Sequence, residues 1–256
     1  MKKTVFGLSL IIFLLSGCAC PQKTPEDTVV ATQTDDPLEP LNRSIFAFNM
    51  ALDKLILKPM AQGYRYVVPE PARKGVNNFF FNLKQPLYLV NALLQGEGKT
   101  AGDISKRFLA NTFWGFLGVF DVASEMNIPK KTNDFGQTLA TWGWHNSSPY
   151  LVLPVFGPSN PRDTIGIGVD LALTPIDWIL RNDPTLLYSR IVLENWDKRE
   201  KGLDLLDNLE RSSTDFYATT RSMYQQNRRN KIAETTQESS GITAEYEFDF
   251  EIEEDE

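Results

Sequence analysis

The sequence predicts an all-α protein, and three observations carry that expectation. Apolar residues recur at spacings of three and four, beginning with Leu38, Leu41, Ile45, Phe48, Leu52 and Leu55, which puts them on one helix face. Prolines and clusters of capping residues open one segment after another. Strict alternation of apolar and polar residues, the mark of a half-buried strand, is scarce between residues 38 and 230.

Order is expected to begin at Asp36-Pro37-Leu38, and the first helix to stop at Lys58-Pro59. Phe46, Met50 and Leu57 cluster almost opposite its main stripe. A water-facing side should not carry such a line, so this helix is either buried all round or turns its outer face to lipid. Asn49, Asp53 and Lys54 border the stripe, as polar edges of a lipid passage or as its boundary with water.

Pro71 opens a second helix through Val76, Phe79, Phe80 and Leu83. Pro86 is expected to open a third, with Leu87, Val90 and Leu94, ended by Gln95-Gly96. A fourth is expected from Asp103 to Phe116, and a short fifth after the Asn133-Asp134 cap. Four prolines and one glycine between residues 147 and 163 deny that stretch a long helix or a central strand. A helix from Arg162-Asp163 follows, kinked or ended at Pro175, and residues 185–230 read as two more, the second after Ser212-Ser213-Thr214-Asp215. No segment reaches the roughly 18 consecutive apolar residues of a bilayer span, the nearest being 108–124 and 164–180, both interrupted by polar residues. Yet "FWGFLGVF" (113–120) is aromatic and glycine-rich, which suits shallow immersion better than spanning. Phe113, Trp114, Phe116, Leu117 and Phe120 therefore face lipid or pack in a core.

The amino terminus carries Met1-Lys2-Lys3, a short apolar run from Val5 to Leu15, and then Ser16-Gly17-Cys18. That is the pattern of an export signal over residues 1–17. Leu15-Ser16-Gly17-Cys18 resembles the lipobox of bacterial lipoproteins, which implies covalent lipid on Cys18 and a new amino terminus there. Acyl chains anchor by burying methylenes, each worth about 0.8 kcal/mol. A Cys18–Cys20 disulfide would close a strained loop. Cys18 is followed by Ala19. In enterobacterial lipoproteins an Asp there retains the chain at the inner membrane, so the resemblance favours the outer membrane. Residues 18–36 read as a flexible tether, 37–230 as the helical domain, and 231–256 as a disordered tail. The tail's end, residues 244–256, holds eight acids and no base. The body is then nearly neutral within a formal net charge of −7, with no basic surplus for nucleic acid.

Chemistry is scarce. His145 is the single histidine. Ser147 and Ser148 lie beside it in one loop, without a G-x-S-x-G elbow or a placed acid, so an esterase is not expected. One histidine and two cysteines do not make a zinc site. The glycines lack phosphate-loop spacing, so no cofactor or metal is expected.

Five stretches together resemble one family: "DPLEPLNRSIFAFN" (36–49), "FFFNLKQPLYLVNALLQG" (79–96), "RFLANTFWGFLGVFDVAS" (107–124), "DFGQTLATWGW" (134–144) and "YLVLPVFGPSNPRD" (150–163). They occur in the order expected of the MlaA/VacJ lipoproteins. The resemblance implies a ring-like helical assembly around an amphipathic channel, lodged in the periplasmic leaflet of the outer membrane. It also implies association with a trimeric porin, and phospholipid taken from the outer leaflet and handed to a soluble periplasmic carrier. Phe48, Asn49 and Met50 would lie beside the channel, in its gate.

Overall fold

The computed structural model describes residues 36–145 and 148–239. Residues 1–35, over which the export signal and tether are expected, and residues 240–256 lie outside the described residues. Among the described residues there are fourteen regular elements, eleven α-helices, two strands and one π turn. They are α1 (Glu39–Leu52), the π turn (Asp53–Leu57), α2 (Lys58–Val67), α3 (Glu70–Leu94), α4 (Gly98–Phe113), α5 (Val122–Glu125) and α6 (Phe135–Thr141). A hairpin of β1 (Leu151–Leu153) and β2 (Gly157–Ser159) follows, then α7 (Pro161–Leu173), α8 (Pro175–Leu180), α9 (Pro184–Lys201), α10 (Leu203–Ser212) and α11 (Phe216–Ser239). The all-α expectation holds, with one small antiparallel hairpin whose register pairs Leu151 with Ser159 and Leu153 with Gly157.

Several boundaries differ from the sequence expectation. Pro59 does not stop the first helix. In the π turn before it, Lys58 N–H donates to the Asp53 carbonyl. Pro59 then falls in the first turn of α2, where a missing N–H is tolerated. Pro86 does not open a helix either, but sits inside α3. An interior proline costs about 3 kcal/mol. Here α4 holds the helix on both sides of it, before it through Asn82 Nδ2, which donates to Thr112 Oγ1, and after it through the cluster of Ala92, Ala101 and Ile104 with Tyr88 and Leu89 around it.

The fourth helix starts at Gly98 and ends at Phe113, so Phe116 and Leu117 lie in the turn beyond it, both with positive φ. Residues 185–230 contain three helices rather than two, because Gly202 and Ser213 break the run. The last of them continues through residues 231–239, which are helical and not a disordered tail. The cap expectations hold: Asp134 and Gln137 form a capping box at α6, and Asp215 accepts from the Ala218 amide at the start of α11.

Helices α6 and α7 cross with their backbones touching. A Cβ on Gly166 would lie 2.5 Å from the Gly136 amide nitrogen, so only glycine permits this approach.

Candidate lipid-contact surface over a polar interior

The interior of this protein is largely polar. Gln85, Asn91, Arg107 and Arg162 are at most 1% exposed, and Asn42, Asn111, Asn160 and Asp197 are buried beside them or elsewhere in the body. Large apolar side chains lie outside instead. Trp114 is 74% exposed and Phe116 72%, and Leu55, Phe113, Phe120, Val155, Phe156, Trp178 and Ile179 are all exposed. This reverses the usual arrangement of a chain folded in water.

The loop after α4 shows how sequence makes this pattern. Gly118 has φ +94°, and a Cβ there would lie 2.3 Å from the Asn82 Cβ, so the backbone is pressed against α3. Asn82 Nδ2 donates to Thr112 Oγ1 (2.9 Å) and to the Leu117 carbonyl (3.3 Å). Gly118 N–H donates to the Asn111 carbonyl (2.7 Å), and Ala123 N–H to Asn111 Oδ1 (2.8 Å). Arg107 reaches Asp121 (2.5 Å) and the Ile128 carbonyl. Burial opposes ionisation of Asp121, but hydrogen bonds from Ser124 and Asn111 and the Arg107 charge hold its carboxyl below the ordinary range. With its backbone groups bonded inward, the loop leaves Phe113, Trp114, Phe116, Leu117 and Phe120 outside. None of these five packs in a core among the described residues.

The first helix resolves similarly. Leu41, Phe48 and Leu55, seven residues apart, are exposed. Phe46, on the opposite side, is half-buried and stacks edge-on against Phe216 and Tyr217 at 5.6 Å. The stripe that periodicity would assign to a core is therefore split: Leu41, Phe48 and Leu55 face outward, while Leu38, Ile45 and Leu52 are half-buried and Ile45 packs against Tyr150, Val152 and Tyr217.

Asn49 does not stand free beside a passage. Its Nδ2 donates to the Leu153 carbonyl (2.9 Å), and its Oδ1 accepts from Val155 N–H (2.8 Å). Met50 is half-buried next to it. Asp53 accepts from Arg199 of α9 (2.6 and 2.9 Å), and Lys54 pairs with Glu210 of α10. Asp53 and Lys54 thus fasten the first helix to later ones, rather than edging a groove. Cys18 lies outside the described residues.

Behind α7, Arg228 of α11 bridges Asp134 (2.6 and 2.7 Å) and Asp163 (2.8 Å). Asp170 accepts from Phe135 N–H (3.1 Å) and Asn91 Nδ2 (3.0 Å). Burial pushes its carboxyl up to about 6 despite those two bonds, with Asp134 adding to the rise. Across α3 and α9, Glu194 accepts from Lys84 and Lys198. Burial, then the Lys198 charge, lowers the Lys84 ammonium against the pull of Glu194. Among the described residues no cluster of His, Cys, Asp and Glu could hold a metal ion. No helix among them is long and apolar enough to cross a membrane.

A helical body with polar groups inside and aromatic residues outside matches a known family. The sequence model described as MlaA lipoprotein aligns with residues 34–231. This chain belongs to the MlaA lipoprotein family. An intermembrane phospholipid transport system lipoprotein MlaA of Escherichia coli K12 is 35% identical over 229 residues, 88% of this chain and 86% of that one. The Haemophilus influenzae protein of the same name is 33% identical over 234 residues, 90% of each chain. An uncharacterised Rickettsia felis protein is 39% identical over 189 residues, 73% of this chain and 74% of its own. A solved chain from work on the structural basis for maintenance of bacterial outer membrane lipid asymmetry has a TM-score of 0.67 and 34% identity. The match covers 77% of this chain and 99% of that one.

Sequence reasoning on this MlaA-family chain missed Asn42, Asn82, Arg107 and the Asp163–Arg228 bridge. Only Asn42 left a signal, its spacing of seven from Asn49. The partners of the others lie in separate elements.

Proposed function

We propose that this chain is a phospholipid-transport lipoprotein of the outer membrane. Lipid on Cys18 anchors it, and its body lies at shallow depth in the periplasmic leaflet. The helices form a ring-like assembly around an amphipathic channel, with Phe48 and Met50 at its gate and Asn49 acting there through its hold on β1. Phe113, Trp114, Phe116, Leu117 and Phe120 meet acyl chains. The chain stands with a trimeric porin, takes phospholipid mislocalised to the outer leaflet and passes it to a soluble periplasmic carrier, so maintaining lipid asymmetry. It does no chemistry on the lipid and needs no cofactor.

The observation that carries this reading is the inverted polarity, buried Arg107 and Asn111 under exposed Trp114 and Phe116. Each large apolar side chain moved from water to lipid contributes roughly 1.5–3 kcal/mol, so five on one loop seat it firmly at shallow depth. The names of the Escherichia coli and Haemophilus influenzae relatives support the transport assignment. The test is to purify the full lipidated chain in mild detergent, extract it and quantify phospholipid. Bound phospholipid that passes to acceptor vesicles is expected. A chain free of phospholipid and unable to transfer it would be a passive envelope scaffold.

A further inference from the structure

A cavity of about 210 Å³ lies between α11 and the segments flanking the hairpin. His145, Tyr150, Asn160, Tyr224, Arg228 and Arg229 line it. One polar group here has no internal use. Tyr150 is 3% exposed, and its hydroxyl has no hydrogen-bond partner. A buried hydroxyl left without a partner is costly and calls for an explanation. Burial, with the Asp36 charge adding to it, keeps this phenol protonated and hence a donor.

The charges around the cavity are unequally used. Asp163 accepts from Asn160 Nδ2 (2.7 Å), Arg162 Nε (3.0 Å), the Tyr224 hydroxyl (2.5 Å) and Arg228 (2.8 Å). Asp134 is taken by Arg228 and by the Gln137 amide. These carboxylates already balance Arg162 and Arg228. Arg229 makes no ion pair among the described residues. The cavity therefore gathers a spare guanidinium, an imidazole, an orphaned phenol and the Gln225 side chain. It far exceeds the ~10–15 Å³ that one water needs. Donors converging from several directions suit a tetrahedral oxyanion better than a planar carboxylate.

We propose that this cavity binds a phosphate group, with Arg229 supplying the charge and the Tyr150 hydroxyl a directed hydrogen bond. The phosphate is either inorganic phosphate or the phosphodiester of a lipid headgroup, and the same residues receive both. The site stands on its own chemistry and does not rest on the transport reading. Phosphate binding without lipid transfer would end only that reading.

The full lipidated chain in detergent micelles is dialysed against labelled inorganic phosphate, against glycerophosphoethanolamine as a soluble headgroup, and against acetate. Saturable binding of at least one phosphorus compound is expected, weakened about tenfold by Arg229→Gln and by Tyr150→Phe. Tighter binding of the diester assigns the site to a lipid headgroup, and tighter binding of inorganic phosphate assigns it to the free anion. Arg229 is exposed, so its variant folds and decides the matter even where the tyrosine variant does not. Binding of neither phosphorus compound, acetate binding as tightly as both, or binding untouched by Arg229→Gln overturns the proposal.

Discussion

Asn42 and Asn49 sit two helical turns apart on α1 and grip the same stretch of chain from one side. Asn42 Nδ2 donates to the Tyr150 carbonyl and its Oδ1 accepts from Val152 N–H, both at 2.9 Å. Asn49 repeats the pattern with the Leu153 carbonyl and Val155 N–H at 2.9 and 2.8 Å. Each carboxamide turns one N–H donor and its oxygen acceptor to the strand, so the two act as a missing neighbour strand along β1. An edge that would otherwise expose backbone groups is closed by a helix.

Replacing either asparagine with alanine should therefore loosen the hairpin locally. Hydrogen exchange at the Val152 amide should accelerate in Asn42→Ala, and at the Val155 amide in Asn49→Ala. Asn42 is buried and its loss strands two backbone groups, so it should cost about 1–3 kcal/mol in urea unfolding. Equal acceleration at both amides in either variant would mean that the clamps do not act separately.

Gly166→Ala should destabilise the chain by about 1–3 kcal/mol, since its Cβ would meet the Gly136 backbone at 2.5 Å. Gly168 has nothing within 4 Å, and Gly168→Ala should be neutral or slightly stabilising in a helix. Thermal melts of the two variants check the contrast.

The Asp170 carboxyl, raised to about 6, makes stability depend on pH. The folded chain holds this proton more tightly than the unfolded chain, whose carboxylate titrates near 3.9. Its contribution is complete below about pH 4 and is lost as pH rises through about 6. In Asp170→Asn that decline should vanish, with a difference of about 2 kcal/mol at most once solvent screening is allowed for. Urea midpoints of both proteins between pH 4 and 8 measure it.

Phe116→Asp and Leu117→Asp should leave unfolding in detergent-free buffer within about 0.5 kcal/mol, because both side chains are exposed. Transfer of phospholipid from vesicles should fall severalfold in the same variants. Unchanged transfer in variants that fold normally would place this loop in a protein interface rather than in lipid.

The helical class was legible because spacing and caps are local. The capping box at Asp134 and the start of α11 after Asp215 were readable for the same reason. Pro59 and Pro86 misled because a π turn and packing against α4 overrode a local rule. Periodicity located the stripe from Leu38 to Leu55 but could not say that Leu41, Phe48 and Leu55 face outward while Ile45 packs inward. The aromatic loop 113–120 stood out as composition, yet what holds it, Asn82 beneath Gly118, joins residues far apart in the chain. The asparagine clamp spans more than a hundred residues for the same reason.

Phospholipid exposed on the cell surface is the most direct measure of the central claim. Cells with and without this chain would be treated with an external phospholipase, and the released products quantified. Deletion should raise the release, and restoring the intact gene should return it to the original level while a Cys18→Ala form should not. Release that is unchanged by deletion would contradict phospholipid removal and leave a tethered helical scaffold.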